Sequence, residues 1–161
     1  MRIARLALAS LAAVSTLSAA ACTGDDGDSA PPSTVALTKF TQAMNTPYEI
    51  DVDGSAVTIS TDFTTVASQA TLTAEGAAQL DLALDMLVAG WDPPYGCSGG
   101  GDCLQGESYK LDGDGTEIWI WNVFNEPRPE VAQLRTFVVA LRGQLAGCTG
   151  GTLIEQCAAP Q

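Results

Sequence analysis

The residues able to do chemistry in this chain are few, and their types narrow it sharply. The chain contains no histidine. That removes Ser–His–Asp and Cys–His nucleophilic catalysis and every imidazole metal site. Carboxylates are abundant, 19 Asp and Glu against 7 Lys and Arg, so pairs such as Asp92 with Asp102, or Glu126 with Glu130, arise by chance. A carboxylate-based hydrolase would need two of them across a sugar-sized cleft, one with a raised pKa. No residue is assigned a catalytic role on sequence alone, and no cofactor is implied.

Two acidic stretches, Asp51-Val52-Asp53-Gly54 and Asp112-Gly113-Asp114-Gly115, look like pieces of a calcium loop. Neither completes one. With Asp112, Asp114 and Gly115 at positions three, five and six, Lys110 and Trp121 fall where oxygen ligands are required. Tight hairpin turns account for the same residues. Gly99-Gly100-Gly101 lacks the Lys-Ser/Thr continuation of a phosphate loop.

The cysteines are Cys22, Cys97, Cys103, Cys148 and Cys157. An odd count in an exported chain needs an explanation, and the leader supplies both export and explanation. Arg2 and Arg5 give a basic start, Leu6 to Leu17 carries no charge, and Ser18-Ala19-Ala20-Ala21 precedes Cys22. That order is a secretory signal over residues 1–21. Its apolar core is too short to span a bilayer, which takes roughly 20 residues, and no later segment is apolar enough to do so. The small residues before Cys22 resemble the lipobox of bacterial lipoproteins. The resemblance covers the leader alone. It implies cleavage before Cys22 and a lipid on that residue. It also implies placement at the cell envelope, in the outer membrane or on the outer face of the cytoplasmic membrane. Plain signal-peptidase cutting after Ala21 would instead release a secreted protein.

Residues 22–33 are acidic and rich in Pro and Gly. They bury too little apolar surface to order themselves and suit a disordered tether. Residues 34–161 are long enough for one domain with its own core. With Cys22 lipidated, four cysteines remain in an oxidising compartment, enough for two disulfides. Local pairing, Cys97 with Cys103 and Cys148 with Cys157, closes two Gly-containing loops. A crossed pairing stays open, and a zinc site of four thiolates does not suit these spacings. Loss of the leader removes Arg2 and Arg5 and moves the formal charge from −12 to −14. Nucleic acid and anionic membrane surfaces repel such a chain.

The elements that must position these groups follow from periodicity. Residues 33–46 place Ala36, Leu37, Phe40, Ala43 and Met44 at helical spacing among strand-favouring Val35, Thr38 and Thr41; helix is the reading adopted. Tyr48 to Thr61 alternates as a hairpin. A turn at Asp53-Gly54 pairs Val52 with Ser55, Ile50 with Val57 and Tyr48 with Ile59. Thr73 to Ala89 is a helix capped by Thr73, with one apolar stripe through Leu80, Leu84 and Leu87 and a second at Leu82 and Met86, both expected to be covered. Residues 91–107 are an irregular loop. Tyr109 to Phe124 is a second hairpin; a turn at Gly113-Asp114 pairs Leu111 with Thr116 and Tyr109 with Ile118. Its second strand is apolar on both faces and so expected to be covered on both. Trp119 and Trp121 are then core under the helices. Pro129 to Ala146 is the last helix, with a stripe of Val131, Leu134, Val138, Leu141 and Leu145. Arg128, Arg135 and Arg142 run beside it, stems on the core and heads in water.

The fold class is therefore α+β: a small antiparallel sheet of two hairpins with two amphipathic helices packed on it and two disulfides. Its expected function is a lipid-anchored cell-envelope binding module without catalytic activity. The loop carrying Trp91, Pro93, Pro94, Tyr95 and Asp102 would present a protein partner with aromatic contacts. The alternative is a cell-wall or glycan-binding module using exposed aromatics. The membrane is contacted only through the lipid.

Overall fold

The computed structural model describes residues 30–43, 46–93, 95, 106–123, 128–148 and 150–158. The leader, Cys22, the tether up to residue 29, Pro94, Cys97, Asp102 and Cys103 lie outside them. The elements are β1 (Val35–Gln42), β2 (Tyr48–Asp53), β3 (Ala56–Thr61), β4 (Thr65–Thr71), α1 (Ala74–Ala89), β5 (Gly106–Gly113), β6 (Thr116–Val123), a 3-10 turn (Pro129–Val131) and α2 (Ala132–Gly147). The class is α+β. One antiparallel sheet runs β4-β3-β2-β1-β5-β6, and both helices contribute to the core beneath it. Among the described residues no helix is long and apolar enough to cross a membrane.

The first correction falls on residues 35–42, read as helix and observed as the strand that joins the two hairpins into one sheet. A shift in register between Leu37 and Lys39 explains the misreading. An extra residue in a strand lets side chains three apart point the same way. Leu37 and Phe40 both reach the core with a spacing that otherwise signals a helix. Thr38 sits at the irregularity and its hydroxyl donates to the Lys110 carbonyl at 3.0 Å. The second addition is β4, whose Thr65–Thr71 sequence is mostly exposed and carries little apolar periodicity.

Both hairpins form, each with its turn one residue later than expected. Val52 pairs with Val57 and Ile50 with Ile59; Leu111 pairs with Ile118 and Tyr109 with Ile120. Moving a turn by one residue shifts the partner by two, so the faces survive. Gly54 has φ +58 as first central residue of its turn, whereas Asp114 and Gly115 both have positive φ, 53 and 80. The two turns thus use glycine in the two ways that primed turns allow. Asp112 Oδ1 accepts from the Gly115 N–H at 2.8 Å. Asp114 accepts from the backbone N–H and hydroxyl of both Ser33 and Thr34 at 2.7–2.9 Å. These carboxylates organise a turn and tie down the start of β1.

α1 begins as expected: Thr73 Oγ1 accepts from the Gly76 N–H at 2.9 Å. Its second stripe is not covered. Leu82 is 61% and Met86 45% exposed, because α2 and the sheet occupy only the side with Leu80, Ala83, Leu84 and Leu87. All five expected stripe residues of the last helix are buried. Past α2 the chain turns through Cys148, at φ 49, and returns beside β4. Ile154 bridges Leu72 and Ala158 bridges Gln69, so residues 150–158 form a strap along that edge of the sheet.

Candidate functional site

The helix-free face of the sheet gathers the exposed chemistry, and its pattern follows from strand register. Residues directly opposite one another on neighbouring strands share a face. One row across all six strands reads Gln69, Thr58, Asp51, Lys39, Lys110, Trp119. The adjacent row reads Val66, Ser60, Glu49, Thr41, Ser108, Trp121. Each row ends in a tryptophan on β6. Val66 alone among the side chains of the two rows lacks a hydrogen-bonding group, and Ser60 and Ser108 are buried within the second row.

The tryptophans are therefore not core. β6 is the last strand of the sheet, and its alternation sends Ile120 inward and both indoles outward. Trp119 is 36% exposed and Trp121 half-buried. Their rings lie nearly parallel, 16° apart, with centroids 6.1 Å apart. Trp119 Nε1 donates to Glu117 Oε1 at 2.6 Å, and Lys110 Nζ lies 2.6 Å from Glu117 Oε2 and 5.6 Å from the Trp119 ring. The Lys110 hydrogen bond, seconded by the indole, lowers the Glu117 pKa. Farther along, Lys39 Nζ reaches Glu49 at 2.8 Å and Asp51 at 3.2 Å; the Glu49 bond leads the causes that raise its pKa. The ion pairs hold the rows in place and leave a face with more carboxylates than ammonium groups.

At the opposite end from the indoles the face opens into a trough of about 480 Å³. Asp51, Asp53, Thr58, Gln69 and Thr71 line it, and Gln156 of the strap closes one side. Among the described residues no cluster of His, Cys, Asp and Glu could hold a metal ion.

The loop expected to carry recognition is placed differently. Tyr95 is buried in the core. Its hydroxyl accepts from the Asp92 N–H at 2.8 Å, its carbonyl accepts from the Trp121 N–H at 3.3 Å, and burial raises its pKa. Trp91 packs edge-on against it at 4.8 Å and rests on the core. Pro93 is half-buried. Pro94 and Asp102 lie outside the described residues. Trp91 and Tyr95 thus close the β6 end of the core.

Sequence reading also missed a buried polar centre. Glu107, 1% exposed, accepts from Arg135 Nε at 2.8 Å, Tyr109 Oη at 3.0 Å and Asn122 Nδ2 at 3.1 Å. Burial, reinforced by Glu107, pushes the Tyr109 pKa far up. The three arginines do not simply project into water. Arg142 stacks over Tyr48 at 4.1 Å, Arg135 holds Glu107, and Arg128 covers Tyr95 at 5.1 Å. Every buried side-chain nitrogen and oxygen among the described residues has a partner, so this centre is satisfied structure rather than an open site.

Of the cysteines, Cys148 and Cys157 are described, and they come together. The expected bond between them is not formed here; both are thiols. Burial and then a hydrogen bond with Cys148 raise the Cys157 pKa to about 11.

Comparison with known proteins leaves this geometry to speak alone: no protein family, curated protein or solved structure matches the chain.

Proposed function

We propose that this protein is a lipid-anchored, non-catalytic binding module of the bacterial cell envelope, and that it grips a glycan through the helix-free face of its sheet. The single observation behind the choice of ligand is the parallel pair Trp119 and Trp121 at the end of two rows of hydrogen-bonding side chains. Indole faces take up the C–H faces of sugars, while carboxylates, amides and hydroxyls bind the ring hydroxyls. A protein-docking patch of similar size would carry more apolar side chains at its centre. The inward Tyr95 and the core-packed Trp91 weigh against the 91–102 loop as the main contact. Export through residues 1–21 and a lipid on Cys22 would hold this face near the wall.

The same export reading calls for oxidised cysteines. Cys148 and Cys157 would each lose a proton and together pass two electrons to a protein or small-molecule disulfide, joining α2 to the strap. Cys97 and Cys103 would form the second bond.

Co-sedimentation with insoluble cell-wall glycan tests the function. The wild-type domain should pellet with it. Trp119→Ala should lose at least tenfold in affinity while the fold loses only about 0.5–1.5 kcal/mol, the worth of its ring pair with Trp121. Unchanged pelleting of both Trp119→Ala and Trp121→Ala would sink the reading.

A further inference from the structure

The trough and the indole pair are two ends of one surface. The row from Trp119 through Lys110, Lys39, Asp51 and Thr58 to Gln69 crosses every strand without leaving the helix-free face, and its last three members line the trough. Five strand spacings of ~4.8 Å make the row ~24 Å long. That is many times the width of one sugar ring.

We infer that the face is a continuous track for an extended, uncharged polysaccharide chain laid across the strands, anchored on the indoles and ending in the trough. This deepens the glycan reading and rests on it. The chemistry of the row selects the occupant. Its two ammonium groups are already paired with Glu49, Asp51 and Glu117, so nothing is left to attract a polyanion, and Asp53 and Asp112 add negative charge. An apolar peptide strand would find one exposed valine, Val66, beyond the indoles. A polyhydroxylated chain finds acceptors and donors at each strand it crosses. The strap matters here because it contributes Gln156 to the far wall.

Isothermal titration with β-1,4-linked N-acetylglucosamine oligomers, from dimer to hexamer, tests the track on the mature domain. Affinity should rise at least tenfold from dimer to hexamer. Thr58→Ala with Gln69→Ala should return the hexamer to the dimer's affinity and leave the dimer unchanged. Trp119→Ala should weaken both, and Trp119→Phe should restore part of each. Equal affinity for dimer and hexamer, or no effect of the trough variants on the hexamer, would overturn the track while leaving glycan binding intact. Failure of every oligomer to bind would overturn the glycan reading itself.

Discussion

Asp114 shows how much one exposed carboxylate can organise. It occupies the left-handed region at φ 53, which Asp tolerates better than most residues, and it receives four hydrogen bonds from Ser33 and Thr34. The Ser33 and Thr34 donors lower its pKa from 3.8 to about 2. A depressed folded-state pKa means that the stabilisation is complete above the unfolded value and fades as pH falls through the folded one. The start of β1 should therefore stay tied to the turn down to about pH 4 and loosen between there and pH 2. Amide exchange at Thr34 and Val35 reads this directly. Asp114→Asn keeps the backbone conformation but weakens the donors' partner, so it should raise that exchange at neutral pH. Arg135 poses a different problem. Removing it leaves the Glu107 carboxylate buried without its cation, which is costlier than losing a surface pair. Arg135 is itself 47% exposed, so solvent tempers the loss, and Arg135→Ala should cost about 2–3 kcal/mol in urea unfolding. A cost near zero would mean that water replaces the guanidinium. None of this centre was legible beforehand: Glu107 lay in a stretch read as loop, and its partners come from β5, β6 and α2.

At the scale of elements, the heptad of arginines along the last helix was visible, but its purpose was not. Seven residues of helix advance about 10.5 Å, close to two strand spacings of ~4.8 Å. Arg142 accordingly meets Tyr48 on β2, Arg135 meets Glu107 on β5 two strands over, and Arg128 meets Tyr95 just beyond β6. Between Arg135 and Arg142 α2 thus advances by two strands of the sheet, and Arg128, ahead of the 3-10 turn, carries the same step past β6. The strap is held from three sides. Thr73 N–H donates to the Leu153 carbonyl at 2.9 Å, Glu155 N–H to Thr71 at 2.9 Å, and Gln144 accepts from the Leu153 and Ile154 N–H groups. Gly76 lets α1 approach this closely, since a Cβ there would fall on the Leu153 carbonyl. Alanine favours a helix over glycine by about 1 kcal/mol, and backbone displacement costs about 1–3 kcal/mol. Gly76→Ala should therefore destabilise on balance and raise exchange in residues 153–158. A stabilised variant would show that the strap yields freely. If Cys148 and Cys157 are joined after export, reducing that bond should lower stability by about 2–3 kcal/mol, and Cys157→Ser should remove that share of the dependence on reductant, leaving the share of Cys97 and Cys103. Peptide mapping of the unreduced protein would decide between this pairing and a crossed one. The half-buried Cys157, its pKa raised to about 11, is a poor attacking thiolate at neutral pH.

For the whole molecule, the prediction concerns address. Intact mass of membrane-extracted protein should correspond to a chain beginning at Cys22, carrying acyl groups and four hydrogens lighter than its reduced form. An uncut chain with reactive thiols, recovered from the cytosol, would remove the envelope reading. The class of the fold, both helices, both hairpins and the faces within them were legible along the chain, because these depend on alternation and capping over short spans. The pairings moved by two without changing faces for the same reason. The neighbours that each element acquires came from the assembled fold alone. A bulged strand with apolar residues three apart looks helical until strands flank it on both sides. A strand apolar on both faces looks buried until it falls at the edge of the sheet, where neither helix packs over its outer face, Trp119 is exposed and Trp121 half-buried. Strand order is set by contacts between residues far apart in the chain, and no local period encodes it.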